Sequence, residues 1–213
     1  MRRPRVLLAD DHKIVTEGLR SLLEPEFELV GVVEDGRALV AAAKELRPDV
    51  IVADISMPLL NGIEVAEQLN RAGVGAKIIF LTMHLDVMYA TRAFEAGASG
   101  YVLKHSAPSE LVSAIREALK GRTYITPLIS KDLLGSIMRR SQRPEDVIRR
   151  LTSRQREILQ LVAEGKTAKE IASLLNISTR TVEFHKYRMM ENLGLKTSAD
   201  LVQFAIKHGI ASG

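Results

Sequence analysis

Five short apolar runs recur through the first half of the chain, near residues 6–9, 29–33, 50–53, 78–82 and 101–103. Each is too short for a helix and reads as a buried strand. The stretches between them repeat apolar residues at helical spacing: Leu39, Val40, Ala43 and Leu46 do so, and Leu111, Val112, Ile115 and Leu119 line one face of a helix from Pro108 to Lys120. Pro108 suits a first helical turn, and Gly121 suits the position just past a helix end. Strands alternating with helices predict a parallel, doubly wound α/β sheet.

After residue 121 the pattern weakens. Pro127, Pro144 and the polar run Arg139 to Arg143 mark residues 122–148 as a linker, with one short helix from about Ile129 to Met138. From residue 149 to 213 every segment is helical in pattern. Thr152 with Gln155, and Thr167 with Glu170, have the spacing of capping boxes. Ser178 can cap a third helix that ends at Asn192-Leu193-Gly194, and Ser198 a fourth that runs to Lys207.

Two domains fit within 213 residues, and the hydrophobic fraction of 46% suits a folded chain. Charge separates the halves. Residues 1–120 hold 14 Lys+Arg against 17 Asp+Glu, and the remainder holds 16 against 9. An acidic first domain and a basic second one suggest that the second meets a polyanion. Zero cysteines exclude disulfides and thiol chemistry. No apolar stretch reaches the roughly 18 residues of a membrane helix. The basic start Met1-Arg2-Arg3-Pro4-Arg5 leads into an apolar run that Asp10 and Asp11 stop too early for a signal peptide, so a cytoplasmic location is expected.

The candidate chemistry lies where the strands end. Asp10 and Asp11 follow the first apolar run, Asp54 the third, Thr82 closes the fourth and Lys104 follows the fifth. Sheets of this type bind ligands at the carboxyl ends of their strands. Three carboxylates, a hydroxyl and an ammonium gathered there form an acidic pocket for a divalent cation beside a lysine for an anion, which points to phosphoryl chemistry. A single aspartate after a strand often only caps a turn; the ordered set makes that explanation a poor one.

These residues carry a resemblance. Leu8-Ala9-Asp10-Asp11-His12, Asp54-Ile55-Ser56-Met57-Pro58 with Asn61-Gly62, Leu81-Thr82, and Gly97 to Lys104 resemble the receiver domain of two-component response regulators over residues 4–121. The resemblance implies a flavodoxin-like fold with strand order 2-1-3-4-5. It implies that Asp54 accepts a phosphoryl group from a sensor histidine kinase, and that Asp10 or Asp11 (Asp11 the more directly), Asp54 and the backbone carbonyl of Ser56 hold Mg²⁺ or Mn²⁺. It also implies a switch, in which the Thr82 hydroxyl moves toward the phosphorylated aspartate, Tyr101 turns inward, and the face from Asp86 to Ala96 reorganises. One departure stands at His105, where many receivers have proline, so a cis bond after Lys104 is not implied.

In the second domain two short helices meet at a tight turn from Asn176 to Thr179, with Ile171, Leu175, Ile177 and Val182 as a small core and Ala172 allowing close approach. That is a helix-turn-helix. It resembles the four-helix LuxR-type output domain, and both halves together resemble the NarL/FixJ class of transcription regulators. The recognition helix would run from about Thr179 to Asn192. Val182, His185, Met189 and Leu193 share its inward face, and Arg180 lies on an outer one. Glu183, Phe184 and Tyr187 are expected at base edges; Lys169, Thr181, Lys186 and Arg188 are expected on phosphates. For Glu183 a pair with Lys186 or Arg180 is the alternative. Residues 145–213 hold 11 Lys+Arg against 8 Asp+Glu, so a monomer should bind DNA weakly and a homodimer better.

Two other function classes compete with a phosphorylation-controlled regulator. A phosphatase that works through an aspartyl phosphate needs a second acid two residues after the nucleophile, where this chain has Ser56. A regulator that binds a protein rather than DNA through its helical end is the other.

Overall fold

The computed structural model describes residues 2–130 and 147–211. The chain divides into two compact units, one on each side of the undescribed stretch.

In the first unit the apolar runs are strands: β1 (Arg5–Ala9), β2 (Glu28–Val33), β3 (Val50–Ala53), β4 (Lys77–Thr82) and β5 (Gly100–Leu103). They alternate with helices α1 (Lys13–Leu23), α2 (Gly36–Leu46), α3 (Gly62–Arg71), α4 (Val87–Glu95) and α5 (Ala107–Leu119). A short sixth strand, β6 (Tyr124–Ile125), lies within the stretch expected to be linker. All strands are parallel, in the order β2-β1-β3-β4-β5-β6. The expected order 2-1-3-4-5 is thus extended by one edge strand. A two-residue strand leaves no periodic signal, and Tyr124 and Ile125 join the sheet only because β5 offers a free edge.

Alternation along each strand feeds two separate cores. Val6, Leu8, Val50, Val52, Ile79, Leu81 and Val102 face α1 and α5, where they meet Leu19, Leu23, Leu111 and Ile115. Leu7, Ala9, Ile51, Ala53, Phe80 and Tyr101 face α2, α3 and α4. With helices on both sides, the strands β3 and β5 are buried throughout.

Residues 127–130 are helical; the remainder of the short helix expected to Met138 lies outside the described residues.

The second unit begins with a 3₁₀ turn, Val147–Arg150, and continues through α6 (Ser153–Ala163), α7 (Ala168–Leu175), α8 (Thr179–Leu193) and α9 (Ser198–Lys207). Thr152 with Gln155 and Thr167 with Glu170 form the two expected capping boxes. Ser178 caps α8 by accepting from Thr181 N at 3.0 Å. The last helix is capped by Thr197 rather than Ser198. Thr197 is three residues before Asp200, whose carboxylate accepts from the Thr197 amide at 2.8 Å; Ser198 is three before Leu201, which has no acceptor to offer. Ile158, Leu159, Leu161, Ile171, Leu175, Val182, Met189, Leu201 and Ala205 are buried. No described helix is long and apolar enough to cross a membrane.

Candidate functional site: an acidic pocket at the strand ends

Two neighbouring strands, β1 and β3, deliver the acidic groups. The chain leaves β1 at Asp10, which is 1% exposed, and leaves β3 at Asp54, which is 4% exposed. The Asp54 amide donates to Ala9 O at 2.9 Å, which fixes the two strand ends beside each other. Lys104 opens a 3₁₀ turn straight after β5 and reaches back across them. Its Nζ lies 2.6 Å from Asp54 Oδ2 and 2.7 Å from Asp10 Oδ2. The contact with Asp54 is a directed hydrogen bond; that with Asp10 is an ion pair off the hydrogen-bond axis, so Asp10 Oδ2 is buried without an aligned donor. Burial alone would lower the lysine's proton affinity, but the charges of Asp54 and Asp10 beside it and the hydrogen bond to Asp54 more than reverse this and raise its pKa.

Asp11 is exposed at the rim. His12, which the sequence reasoning did not single out, joins it there: Nδ1 lies 2.9 Å from Asp11 Oδ1 and 3.0 Å from Asp10 Oδ1. Asp10, Asp11, His12 and Asp54 each offer one ligand atom within 4.8 Å of the others. A set rich in carboxylate oxygens, with one buried oxygen that lacks an aligned donor, fits a hard divalent cation.

The loop after Asp54 holds that carboxylate in place. Ser56 N donates to Asp54 Oδ1 at 3.3 Å. The loop returns at Gly62, whose amide donates to Ile55 O at 2.8 Å. A Cβ on Gly62 would lie 2.4 Å from Asp54 O, so only glycine lets α3 start this close to the site. Asn61 caps that helix through Glu64 N at 3.0 Å.

Thr82 is fully buried at the end of β4, and its Oγ accepts from His84 N at 3.2 Å. Tyr101, expected to turn inward on activation, is already inward: it is fully buried and its hydroxyl donates to His84 O at 2.8 Å. Burial pushes its phenol pKa far up, with smaller contributions from Tyr89, Asp86 and Asp54. The peptide groups of His84 therefore join Thr82 to Tyr101. The His84 ring lies 2.7 Å from Ser56 Oγ and stacks on Tyr89 with centroids 3.9 Å apart. Its pKa is lowered by burial, against the opposing charge of Asp54. His84 follows the end of β4 by two residues, which was its only signal in the sequence, whereas His12 closes the motif that carries Asp10 and Asp11. No described peptide bond is cis, including the one between Lys104 and His105.

In the second unit, Asn176 takes a left-handed conformation (φ 52°) and turns the chain from α7 into α8. Val182 and Met189 face inward and His185 is half-buried, as its spacing predicts. Lys169, Arg180, Glu183, Phe184, Tyr187 and Arg188 are exposed, and Thr181 is half-buried. Lys186 departs from expectation: its side chain is only 20% exposed and pairs with Glu183 at 3.2 Å, which is the alternative partner foreseen for Glu183. Arg188 pairs with Glu191 at 3.2 Å.

Known proteins share both units. Residues 6–116 match the family described as response regulator receiver domain, and residues 149–205 match bacterial regulatory proteins of the luxR family. The transcriptional regulatory protein MctR of Rhizobium johnstonii is 34% identical over 98% of this chain and 95% of its own. The response regulator UvrY of Escherichia coli is 34% identical over 97% of this chain and 95% of its own. Among solved structures, RcsB of Salmonella typhimurium matches with a TM-score of 0.65 at 30% identity, covering 98% of this chain and 99% of that one. A structure of two RcsB dimers bound to two parallel DNAs matches with a TM-score of 0.61 at 30% identity, over 95% and 98%.

Proposed function

Because the chain belongs to the NarL/FixJ class of DNA-binding response regulators, we propose that Asp54 is its phosphoryl acceptor and that the modification governs DNA binding by the helical unit. The observation that carries this reading is Lys104 Nζ, held 2.6 Å from Asp54 and 2.7 Å from Asp10 at the strand ends. A carboxylate oxygen of Asp54 forms a bond to phosphorus as the phosphorus–nitrogen bond of a kinase phosphohistidine breaks, and the imidazole leaves. Lys104 then has one carboxylate fewer to neutralise and pairs with a phosphoryl oxygen. A divalent cation, Mg²⁺ or Mn²⁺, held by Asp10, Asp11, Asp54 and the Ser56 carbonyl, would neutralise charge on the transferring group. Acceptance and slow hydrolysis are self-catalysed; the protein turns over no separate substrate.

Thr82 is the sensor. When its hydroxyl moves to the new phosphoryl oxygen, it pulls on the His84 amide, and the same residue's carbonyl holds Tyr101. The consequence reaches α4 through the stack of His84 on Tyr89. The helical unit binds double-stranded DNA through α8, with Phe184 and Tyr187 at base edges and Arg180, Thr181 and, from α7, Lys169 toward the backbone, while Glu183 pairs with Lys186 and Arg188 with Glu191. Its modest net charge favours a homodimer on two half-sites; two RcsB dimers bound to two parallel DNAs are seen in the structure of that relative.

Labelling with acetyl phosphate, followed by gel-shift on genomic fragments, tests both steps. Asp54→Ala should abolish labelling and remove any effect of the phosphodonor on the shift. Stable phosphate on Asp54→Ala at the wild-type level would refute the assignment.

A further inference from the structure

Two large aromatic side chains stand out on the surface of α8. Phe184 is 57% exposed and Tyr187 66% exposed. Three residues apart, they are neighbours on the helix surface, on the side away from the buried Val182 and Met189. We propose that these two rings read thymine methyl groups, so that the preferred half-site is specified mainly by where its thymines lie. The proposal rests on the reading of α8 as a DNA-recognition helix.

The chemistry around the rings leaves them that role. The Phe184 ring neither donates nor accepts a hydrogen bond at a base edge, and Tyr187 carries one hydroxyl at the tip of an otherwise apolar ring. The apolar group that a base pair offers in the major groove is the thymine C5-methyl. Of the polar groups beside them that could read guanine or cytosine, Glu183 and Arg188 are paired along the helix. Glu183 pairs with Lys186 and Arg188 with Glu191, each at 3.2 Å, and the Arg188 guanidinium lies 5.8 Å over the Phe184 ring. Each pair cancels its own charge, so the face around Phe184 and Tyr187 is close to neutral. Lys169 and Arg180 are exposed without an ion pair among the described residues. They remain to hold phosphates while the rings meet the bases. An aromatic patch between free cations fits a methyl-lined groove flanked by phosphates.

The test uses the full chain, treated with acetyl phosphate, to select sites from a random double-stranded DNA pool. The enriched site is remade with deoxyuridine in place of one thymidine at a time, which removes the methyl and keeps every hydrogen-bonding group. Affinity should fall about fourfold at one or two thymines per half-site, the value of one buried methyl-sized group. That penalty should vanish in Phe184→Ala or Tyr187→Ala, whose folding is checked by circular dichroism. Affinity unchanged at every uracil overturns the proposal, as does a penalty that persists in both variants or binding to all sequences alike. Retention of no DNA at all overturns the DNA-recognition reading together with it.

Discussion

Lys104 neutralises two buried carboxylates at once, and removing it should cost far more than removing one of them. In Lys104→Met a side chain of similar length fills the space, but Asp10 and Asp54 lose the ammonium 2.7 and 2.6 Å away. Their nearest usable oxygens lie within 4.8 Å of each other. At that distance and an effective dielectric constant of about 20, two carboxylates repel by roughly 3.5 kcal/mol. Protonation of one aspartate limits the loss, so the variant should be destabilised by roughly 3–5 kcal/mol, the usual cost of breaking a buried pair. Asp54→Asn does the reverse. It removes one of two like charges and leaves Asp10 paired with Lys104, so its effect should stay within about 1 kcal/mol. Hydrogen exchange read by mass spectrometry on β3 and β4 separates this unit from the helical one. Protection there should fall by roughly a hundred- to five-thousandfold in Lys104→Met and by less than about tenfold in Asp54→Asn. Equal losses in the two variants, or a small one in Lys104→Met, would mean that the ammonium does not hold the two charges together.

Further expectations concern the frame of each unit. Gly62→Ala puts a methyl 2.4 Å from Asp54 O and 2.8 Å from Phe80 Cε1. It should cost about 1–3 kcal/mol and slow labelling by acetyl phosphate; wild-type protection and labelling would show that the loop absorbs the methyl freely. Tyr101→Phe leaves the His84 carbonyl without its 2.8 Å donor. A loss of about 1–3 kcal/mol is expected in exchange from β5, and none would mean that water replaces the hydroxyl there. In the helical unit, bonds from the Thr167 hydroxyl and amide lower the Glu170 pKa below 4.5, and bonds from the Thr197 and Lys196 amides lower that of Asp200 below 3.8. A lowered folded value means that this stabilisation is present above the ordinary carboxylate range and is lost as pH falls through the lowered value. Carboxyl carbon shifts followed by NMR should give midpoints below 4.5 and 3.8; midpoints at or above them would show that the caps do not hold in solution.

These two caps also show how far local sequence reaches. Thr167 with Glu170 was legible because a capping box is closed by residues three apart, and no distant group is needed to make it. The five main strands were legible for a related reason. A strand covered on both faces has to be apolar along its length, so its run survives in the sequence and its end is marked by the first polar residue. Asp10, Asp54 and Lys104 could be picked out on that rule alone, with Thr82 closing its own run. The sequence by itself thus determined the strands, most of the caps and the identity of the charged groups at the strand ends.

Tertiary structure decided what those groups do to one another. That a single ammonium meets both Asp10 and Asp54 follows from β1, β3 and β5 ending together, at sequence separations of 50 residues and more. His84 left no pattern, because its peptide groups bond to Thr82 and Tyr101 whatever its side chain is, and its ring finds Ser56 and Tyr89 only once β4 and α4 are in place. The two residues of β6 became a strand because an open sheet edge lay beside them. Lys186 was placed by its neighbours too: helical spacing puts it on an outer face, and side-chain packing draws it onto Glu183. Periodicity records which side of an element is covered; it does not record which side chains, brought from far along the chain, become partners.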